Sequence, residues 1–396
     1  MPPATSPSLA TIKLSPRGAS RLKAGHVWVY RSDIASADGI PPGALVSVHD
    51  HRGKLLGTAL YSSTSQIAIR MLSHEHVADL PALLRQRIAD ALAYRDRFVP
   101  GTDACRLIFS EGDFLPGLIV DRYRDILSLQ ILTQAWDSDS LRQTLITELK
   151  ARLKPDSIVE RVDPRVRELE NLPERQSQPL FGDKTATLFT MNAVQFHYSA
   201  LEGQKTGAFL DQRENYAAAA QYAHGDALDV FCYQGGFALH VAPRCSHVTG
   251  VDSSRPALEV ADKNAALNHR EIEWIEANAF DLLKDYASSG QRYDTIVLDP
   301  PPFAKTKRDL DAALRGYKEL NLRALKMLRP GGVLVTCSCS YHVSQSDFMQ
   351  TLSAAALDAH RTLRLAEMRG QAKDHPVLLN VPETSYLKCV IATVSN

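Results

Sequence analysis

Short apolar runs separated by turn signals dominate the first part of the chain. Residues 27–30, 44–48 and 66–70 are rich in the β-branched, aromatic and other apolar residues that predict β-strands. Turn-forming pairs such as Asp38-Gly39 and Arg52-Gly53 separate these runs. The pattern therefore predicts a small β-rich barrel at the start of the chain.

The following stretch mixes the two periodicities. Apolar residues at helical spacing predict helices near 80–97 and 138–152. Strand-like runs occupy 117–123, 126–132 and 157–162. The polar stretch 163–180 contains three prolines and is predicted to be a loop. These features indicate an α+β region.

From about residue 190, strand-like and helix-like segments alternate. The predicted strands are 227–232, 247–252, 272–276, 295–299, 332–338 and 386–393. Helices are predicted at 256–268 and 311–329, the second ending at Pro330-Gly331-Gly332. This alternation is typical of a mainly parallel, doubly wound, Rossmann-like sheet, so the predicted fold class is α/β.

Composition limits the classes of protein that this chain can belong to. Its 396 residues are 44% hydrophobic and 23% charged, which is ordinary for a globular protein. No apolar run reaches the roughly 18–20 residues that span a bilayer, and residues 1–7 lack an apolar signal core. The six cysteines show no C-x-x-C spacing and indicate free thiols in a reducing compartment. We therefore expect a cytoplasmic protein with no membrane partner and no metal site.

Charge is unevenly distributed along the chain. Formal net charge is zero, yet residues 1–72 contain eight Lys or Arg against three acids. A basic region on a neutral protein suits a polyanionic partner such as a nucleic acid. A solvated basic surface without a partner is the alternative.

A candidate ligand site begins where the first strand of the doubly wound region ends. In such sheets ligands bind at the carboxyl ends of strands. Paired glycines at 235 and 236 allow the backbone to turn tightly, but the G-x-G-x-x-G spacing of dinucleotide sites is absent. An adenosine ligand without phosphates fits better, and S-adenosylmethionine is the common one. The candidate residues here are Asp229, Phe231, Cys232, Tyr233 and Gly235.

The next two strands end in further candidates. Asp252, followed by Ser253, stands where an acid accepts hydrogen bonds from ribose hydroxyls. Asn278 and Ala279 follow the third strand, and Asn278 is a candidate for the adenine edge. The alternatives are a helix cap for Asp252 and a turn residue for Asn278.

The fourth strand ends in Asp299-Pro300-Pro301-Pro302-Phe303. Consecutive prolines lack the N–H groups that a central strand requires, so they predict a rigid loop at the sheet edge. Asp299 would then lie near a bound methyl donor, and it is a candidate for binding the target nucleobase through hydrogen bonds. A loop cap is the alternative.

The fifth strand carries Cys337 and Cys339, which alternation places on one face. Cys339 lies nearer the strand end and is the candidate reactive thiol, whereas buried cysteines often act as small apolar residues. A thiolate that adds to carbon 6 of cytosine makes carbon 5 nucleophilic enough to accept a methyl group.

These motifs together resemble a known family. The chain is similar to bacterial class I S-adenosylmethionine-dependent ribosomal RNA large-subunit methyltransferases that carry an N-terminal PUA domain and form 5-methylcytosine. The resemblance covers nearly the whole chain. The segments that carry it are 14–30, 111–123, 205–213, 299–303, 316–321, 336–340, 374–376 and 386–389.

The resemblance implies three domains and specific roles. It implies an RNA-binding PUA domain at 1–75, an α+β middle domain at 76–188 and a methyltransferase domain at 189–396. It also implies Cys339 as the nucleophile, Arg213 near the cofactor carboxylate, large-subunit ribosomal RNA as the partner and a homodimer. Many RNA cytosine-5 methyltransferases have a second cysteine in the fourth-strand motif, which 299–303 lacks.

Two alternatives remain open at the sequence level. The same fold with an Asp-Pro-Pro-x-Phe-like loop also suits methylation of a ring or exocyclic nitrogen in ribosomal RNA. A ribosome assembly factor that binds RNA and keeps the cofactor fold without catalysis is the other.

Overall fold

The computed structural model describes residues 9–202, 208–304 and 306–395. Residues 1–7, expected to lack a signal core, and residues 205–207 of the segment 205–213 lie outside the described residues. The described chain forms two compact units. The first comprises 9–187, 198–202 and 373–384, and the second comprises 188–197, 208–304, 306–372 and 385–395.

The first unit begins with a β-sheet. Its strands are β1 Ala10–Leu14, β2 Trp28–Tyr30, β3 Ile34–Ser36, β4 Leu45–His49, β5 Leu55–Tyr61 and β6 Ile67–Ser73, with helix α1 at Pro16–Lys23. In the described residues the strand order is β2-β6-β5-β4-β1-β3. The predicted strands at 27–30, 44–48 and 66–70 are confirmed, whereas β1, β3 and β5 were not predicted.

Alternation explains why these strands close on a core. Ile12 and Leu14 of β1 and Val46 and Val48 of β4 are almost completely buried. The residues between them point to the other face because side chains alternate along a strand. Leu22 of α1 joins the same apolar cluster.

A second sheet in the same unit covers most of the predicted α+β region. Its strands are β7 Ala104–Phe109, β8 Leu118–Tyr123, β9 Ile126–Ile131, β10 Ser157–Glu160 and β11 Gln178–Phe181, and its helices are α2 Leu80–Phe98, α3 Asp139–Leu153 and α4 Pro164–Leu169. The strand order over the described chain is β11-β10-β9-β8-β7. The predicted helices and strands of this region are confirmed.

The predicted loop at 163–180 is wrong in part, because it contains α4 and β11. Asp163 caps α4, since its Oδ1 accepts a 2.9 Å hydrogen bond from the N–H of Arg165. Pro164 occupies the first helical position, where its missing N–H costs nothing. Proline therefore marks a helix start here and not a break.

A two-stranded hairpin, β12 Ala186–Met191 and β13 Val194–Ser199, precedes the large sheet of the second unit. The strands of that sheet are β14 Gly225–Val230, β15 Cys245–Asp252, β16 Glu273–Glu276, β17 Tyr293–Leu298, β18 Leu328–Ser338, β19 Thr362–Arg369 and β20 Lys388–Ser395. The helices of this unit are α5 Arg213–Tyr222, α6 Gly236–Val241, α7 Arg255–Leu267, α8 Ala279–Ser289, α9 Leu310–Met327 and α10 Gln345–Asp358.

The order of this sheet, as far as the described residues show it, is β16-β15-β14-β17-β18-β20-β19. Neighbouring strands from β16 to β18 pair in parallel, and β20 is antiparallel to both β18 and β19. The mainly parallel, doubly wound α/β fold predicted from the sequence is confirmed. The last four residues of each central strand, β14 and β17, are buried and mostly apolar, as burial on both faces of the sheet requires.

One predicted boundary is wrong. Helix α9 ends at Met327, and β18 begins at Leu328, so Pro330-Gly331-Gly332 belongs to the strand segment. The pairing with β17 is irregular between Tyr293↔Leu328 and Thr295↔Val333. The proline and glycines therefore occupy an interruption of the ladder, where a missing N–H is tolerated.

No helix within the described ranges has both the length and the apolar composition that crossing a bilayer requires.

Candidate active site

The strand order reverses at β14, which pairs with β15 on one side and with β17 on the other. Crevices for ligands form at such a reversal, outside the carboxyl ends of the strands. Val230 pairs with Val251 and with Leu298, so the residues that follow these three lie along one edge. The predicted candidates Asp252 and Asp299 therefore lie on either side of the loop that follows β14.

The loop after β14 has an unusual backbone. Phe231 and Tyr233 have positive φ angles of 67° and 49°. The N–H groups of Phe231 and Cys232 both donate to the carbonyl of Val251, which fixes the turn. Left-handed conformations at residues other than glycine cost energy and cluster at ligand sites.

Gly235 and Gly236 permit close packing behind this loop. Gly235 has a φ of 86°, and a Cβ atom there would lie 2.9 Å from the Trp274 ring. A Cβ atom at Gly236 would lie 2.5 Å from the ring of Tyr216. Both aromatic residues were missed by sequence reasoning, because their contacts with the glycines are not encoded in any local pattern.

Asp229 is buried at the end of β14. Its Oδ2 accepts a 2.8 Å hydrogen bond from the N–H of Ala238, whereas no described residue donates to its Oδ1. Burial raises its pKa to about 8, and the negative charges of Asp299 and Asp252 contribute to this rise. The carboxyl group thus has an unused oxygen in a site of negative potential.

Other acids share this negative potential. Burial raises the pKa of Tyr216 well above its ordinary value, and the charges of Asp299, Asp211 and Asp229 raise it further. Asp211 accepts a 2.7 Å hydrogen bond from the hydroxyl of Tyr386. The arrangement favours a ligand that carries positive charge.

Asp252 is half-buried and ties two chain segments together. Its Oδ2 accepts from the N–H of Tyr233 at 2.9 Å, and its Oδ1 accepts from the N–H of Ser254 at 2.8 Å. Ser254, not Asp252, is the N-cap residue of α7. Ser253 is exposed between them.

Asn278 is exposed and caps helix α8. Its Oδ1 accepts from the N–H of Phe280 at 2.9 Å, so this oxygen is engaged in the cap. Ala279 is buried as the first residue of the helix. The rings of Phe280 and Phe303 lie 6.0 Å apart, so the start of α8 and the loop after β17 lie near each other.

Asp299 is held by a side chain that the sequence analysis did not name. Gln212 Nε2 donates a 2.9 Å hydrogen bond to its Oδ1. Asn215 Nδ2 in turn donates to Gln212 Oε1 at 2.6 Å. The only sequence signal for Gln212 was its place in the family-like segment 205–213.

Arg213 begins helix α5 directly after Gln212, and its side chain is buried. One of its guanidinium nitrogens lies 3.6 Å from a carboxylate oxygen of Glu214. Its backbone carbonyl accepts a 2.7 Å hydrogen bond from Asn192.

Cys339 directly follows the last residue of β18 and is half-buried. Its thiol donates a long, 3.8 Å hydrogen bond to the carbonyl of Pro300. Ser340 Oγ accepts from the N–H of Ala304 at 3.2 Å and lies 3.0 Å from the hydroxyl of Tyr317. The loop after Asp299 is therefore bonded to the segment that carries Cys339.

The other cysteines differ from Cys339 in burial or in position. Cys105, Cys232, Cys337 and Cys389 are buried. Burial raises the pKa of Cys337 well above its ordinary value, and the neighbouring Cys389 adds to this effect. Cys245 is partly exposed but begins β15, at the opposite end of that strand from Asp252.

Two known families match the chain. A PUA-like domain matches residues 12–74, and an S-adenosylmethionine-dependent methyltransferase matches residues 123–376, which is more than half of the chain. The chain belongs to this methyltransferase family. S-adenosylmethionine is accordingly its cofactor, and the family resemblance drawn from the sequence is confirmed.

Curated relatives align with nearly the whole methyltransferase. It is 37% identical over 395 residues to the Ribosomal RNA large subunit methyltransferase I of Shewanella denitrificans, with 97% of this chain and 99% of the relative covered. It is 38% identical over 380 residues to the protein of the same name from Aeromonas hydrophila, with 92% and 94% covered.

Solved structures share the fold of this methyltransferase. A SAM-dependent methyltransferase from Streptococcus mutans has a TM-score of 0.82 at 18% identity, with 97% of this chain and 100% of that chain covered. A methyltransferase solved as a complex with SAH has a TM-score of 0.83 at 19% identity and the same coverage. At these identities the likeness shows the fold alone.

The residues of this methyltransferase fit S-adenosylmethionine. Oδ1 of Asp229 is a buried carboxylate oxygen that no described residue supplies with a donor. Such an atom is costly to bury unless a ligand completes its hydrogen bonds. Since S-adenosylmethionine carries a sulfonium and an amino group, it can supply positive charge and a donor to the carboxyl group of Asp229.

Proposed function

We propose that this methyltransferase forms 5-methylcytosine in large-subunit ribosomal RNA, with Cys339 as the nucleophile. The observation that carries the proposal is the half-buried Cys339 at the end of β18, with its thiol 3.8 Å from the carbonyl of Pro300. Pro300 directly follows Asp299, whose charge acts on Asp229 in the cofactor site. The names of the Shewanella and Aeromonas relatives support ribosomal RNA as the substrate.

The thiol explains how an unreactive carbon is methylated. The thiolate of Cys339 adds to carbon 6 of cytosine, forming a bond from Sγ to carbon 6 and raising electron density at carbon 5. S-adenosylmethionine, when bound, would supply an electrophilic methyl group, and its sulfur–methyl bond would break to leave the neutral thioether S-adenosylhomocysteine. Once carbon 5 carries the methyl group, its proton leaves to a base, and the bond from Sγ to carbon 6 breaks to return the thiolate.

Asp299 holds the cytosine in this proposal. Its carboxylate accepts a hydrogen bond from the exocyclic amino group or from a protonated ring nitrogen 3. Gln212, at 2.9 Å from Oδ1, restricts the carboxylate to one orientation. This restraint lowers the entropy cost of aligning the base with the thiolate.

Cofactor contacts follow from the positions of the other residues. Asp252 accepts from two backbone N–H groups and keeps free lone pairs for ribose hydroxyls. Asp229 binds the positively charged end of the cofactor, and Arg213 binds its carboxylate. Asn278 and Ala279 line the adenine side. The backbone of the loop that contains Phe231, Cys232, Tyr233 and Gly235 encloses the remainder.

RNA binding is assigned to the PUA-like domain. Arg17 is paired with Asp33 and Lys23 with Asp50, so part of its basic excess is already neutralised. Lys13, Arg52 and Lys54 are exposed. These cations are available to phosphates, which bind mainly through charge and independently of sequence.

Replacing Cys339 by alanine tests the proposal. We expect Cys339→Ala to lose methyl transfer to large-subunit ribosomal RNA while S-adenosylmethionine binding, measured by calorimetry, is unchanged. Cys245→Ala, which alters the other partly exposed thiol, is the matched control and keeps full activity. Nucleoside mass spectrometry identifies the product, and an N-methylated base, or full turnover by Cys339→Ala, would contradict the proposal.

The domain limits and the oligomeric state are also proposals. The division at 1–75, 76–188 and 189–396 predicts protease-sensitive connections near residues 75 and 188. A homodimer predicts twice the 43.7 kDa chain mass in light scattering.

A further inference from the structure

Lys388 is a buried cation beside the proposed nucleophile. It begins β20, where it pairs with Ser338, the last residue of β18. Cys339 comes directly after Ser338. Only 9% of the surface of Lys388 is exposed. Lysine is rarely buried to this degree, because its ammonium group loses hydration when it is buried.

Two hydrogen bonds hold the ammonium group in place. Nζ of Lys388 donates to the carbonyl of Ser340 at 2.7 Å and to the carbonyl of Tyr386 at 2.8 Å. Lys388 therefore contacts the residue after Cys339 through its side chain and pairs with the residue before it through its backbone. An ammonium group has three N–H donors, so these carbonyls leave one for another acceptor.

Both acceptors of Lys388 are neutral. No carboxylate among the described residues forms an ion pair or a hydrogen bond with Nζ. A buried charge without a counter-ion is unfavourable, and a nearby anion relieves that cost. Cys339 lies between Ser338 and Ser340, both of which Lys388 contacts, so its thiolate is a candidate for this anion.

We propose that Lys388 stabilises the thiolate of Cys339 as its counter-ion and thereby sets the reactivity of this thiol at neutral pH. The proposal deepens the proposed function and rests on it for the role of the thiolate in methyl transfer. Lys388 acts through Cys339 and is thus a positioning residue.

The electrostatic interaction supports this pairing. Burial lowers the pKa of Lys388 to about 8, and the interaction with Cys339 acts in the opposite direction. Coupling between two sites is reciprocal. If the thiolate of Cys339 stabilises the charged form of Lys388, the ammonium group of Lys388 stabilises the thiolate by the same free energy. Among the described residues, Tyr317 of α9 also interacts with Cys339, and Cys337 of β18 interacts with Cys389 of β20 and with Asp299 after β17. Of these described groups, Lys388 is the one that carries positive charge.

Alkylation of Cys339 by iodoacetamide tests the proposal without RNA or cofactor. The rate is followed against pH by peptide mass spectrometry in wild type, Lys388→Met and Lys388→Arg. In Lys388→Met we expect the midpoint of the profile to rise by about one pH unit and the rate at pH 7 to fall about tenfold, the lower range for loss of one nearby charge. Lys388→Arg keeps the wild-type midpoint, and Cys245 serves as the internal reference thiol in every sample.

An unchanged midpoint in a folded Lys388→Met variant would overturn the proposal. If that variant does not fold, the Cys339 thiolate is titrated in the wild-type protein instead. The absorbance near 240 nm is measured against pH in wild type and in Cys339→Ser, and the difference between them gives the midpoint. A midpoint below about 8.5, the value of an ordinary cysteine, supports the proposal, and one at or above it overturns the proposal. A shifted alkylation profile together with absence of 5-methylcytosine would leave the pairing intact and reject only the proposed function.

Discussion

The backbone N–H of Ala238 donates a 2.8 Å hydrogen bond to Oδ2 of Asp229 and holds this carboxyl group at the end of β14. The bond favours the ionised form, yet burial outweighs it and raises the pKa to about 8. A substantial fraction of Asp229 is therefore protonated at neutral pH before a ligand binds. A cationic ligand that prefers the carboxylate has to displace this proton.

The first prediction concerns binding of S-adenosylmethionine. We expect its affinity to increase as the pH rises toward 8, because the raised pKa makes the carboxylate more abundant over this range. Proton release on binding is measured by calorimetry in buffers of different ionisation enthalpy. Asp229→Asn should bind more weakly and lose the pH dependence. Asp285→Asn, on an exposed position of α8, is the control, and an unaltered slope in Asp229→Asn would contradict the prediction.

A second prediction concerns acid stability. His240 is buried with its Nδ1 at 2.6 Å from the carbonyl of Gly236, and burial lowers its pKa from 6.5 to about 4. Because the folded pKa is below the unfolded one, the stability it contributes is present above pH 6.5 and lost as the pH falls toward 4. Urea denaturation of wild type and His240→Phe should show a smaller loss for the variant between these pH values.

Asp229 acts in the opposite direction on stability. Its raised pKa stabilises the folded chain at low pH, and this contribution disappears as the pH rises toward 8. The comparison of wild type with His240→Phe cancels this effect, since Asp229 is present in both. Equal pH slopes for the two proteins would show that His240 is not the responsible group.

A third prediction separates the cost of a left-handed backbone from the cost of steric crowding at Gly235, in the loop after β14. Gly290→Ala places a side chain at a φ of 83° with no atom within 4 Å, so it should cost about 1–2 kcal/mol of unfolding free energy. Gly235→Ala has a similar φ of 86° but meets Trp274 at 2.9 Å, which adds about 1–3 kcal/mol. Urea denaturation measures both, and equal losses would mean that Trp274 moves aside. Only Gly235→Ala should also weaken S-adenosylmethionine binding.

A fourth prediction concerns the residue that orients Asp299. Gln212→Leu removes the 2.9 Å hydrogen bond to Oδ1 and should lower kcat for RNA methylation about tenfold, as expected for a hydrogen bond to a charged group. The Kd of S-adenosylmethionine should change little. Gln350→Leu, at an exposed position of α10, is the control. A weaker Kd with unchanged kcat would place Gln212 in the cofactor site instead.

Elements with strong local patterns were predicted well. Strands β14 and β17 each end in a short, mostly apolar run, and such runs form buried parallel strands where helices separate them. The helix α4 was missed because Pro164 starts it, and proline has two opposite meanings that depend on its position in a helix.

The acidic candidates for the site could also be identified from the chain order. Asp229, Asp252 and Asp299 lie at or directly after strand ends, and parallel strands bring their carboxyl ends to one edge. The environments of these three carboxyl groups could not be predicted from the sequence. That Asp229 is buried and Asp252 is tied by two N–H groups depends on which atoms the fold packs around each carboxyl group.

Local periodicity was enough to predict the α/β fold, which is confirmed, and strand-end chemistry was enough to propose a donor site and a thiol, because these features depend on residues adjacent in the chain. The partners of those groups come from elsewhere. Gln212 is 87 residues from Asp299, and Lys388 is 48 residues from Ser340. Contacts over such separations depend on strand order and register, and they set the charge, the burial and the orientation on which reactivity depends.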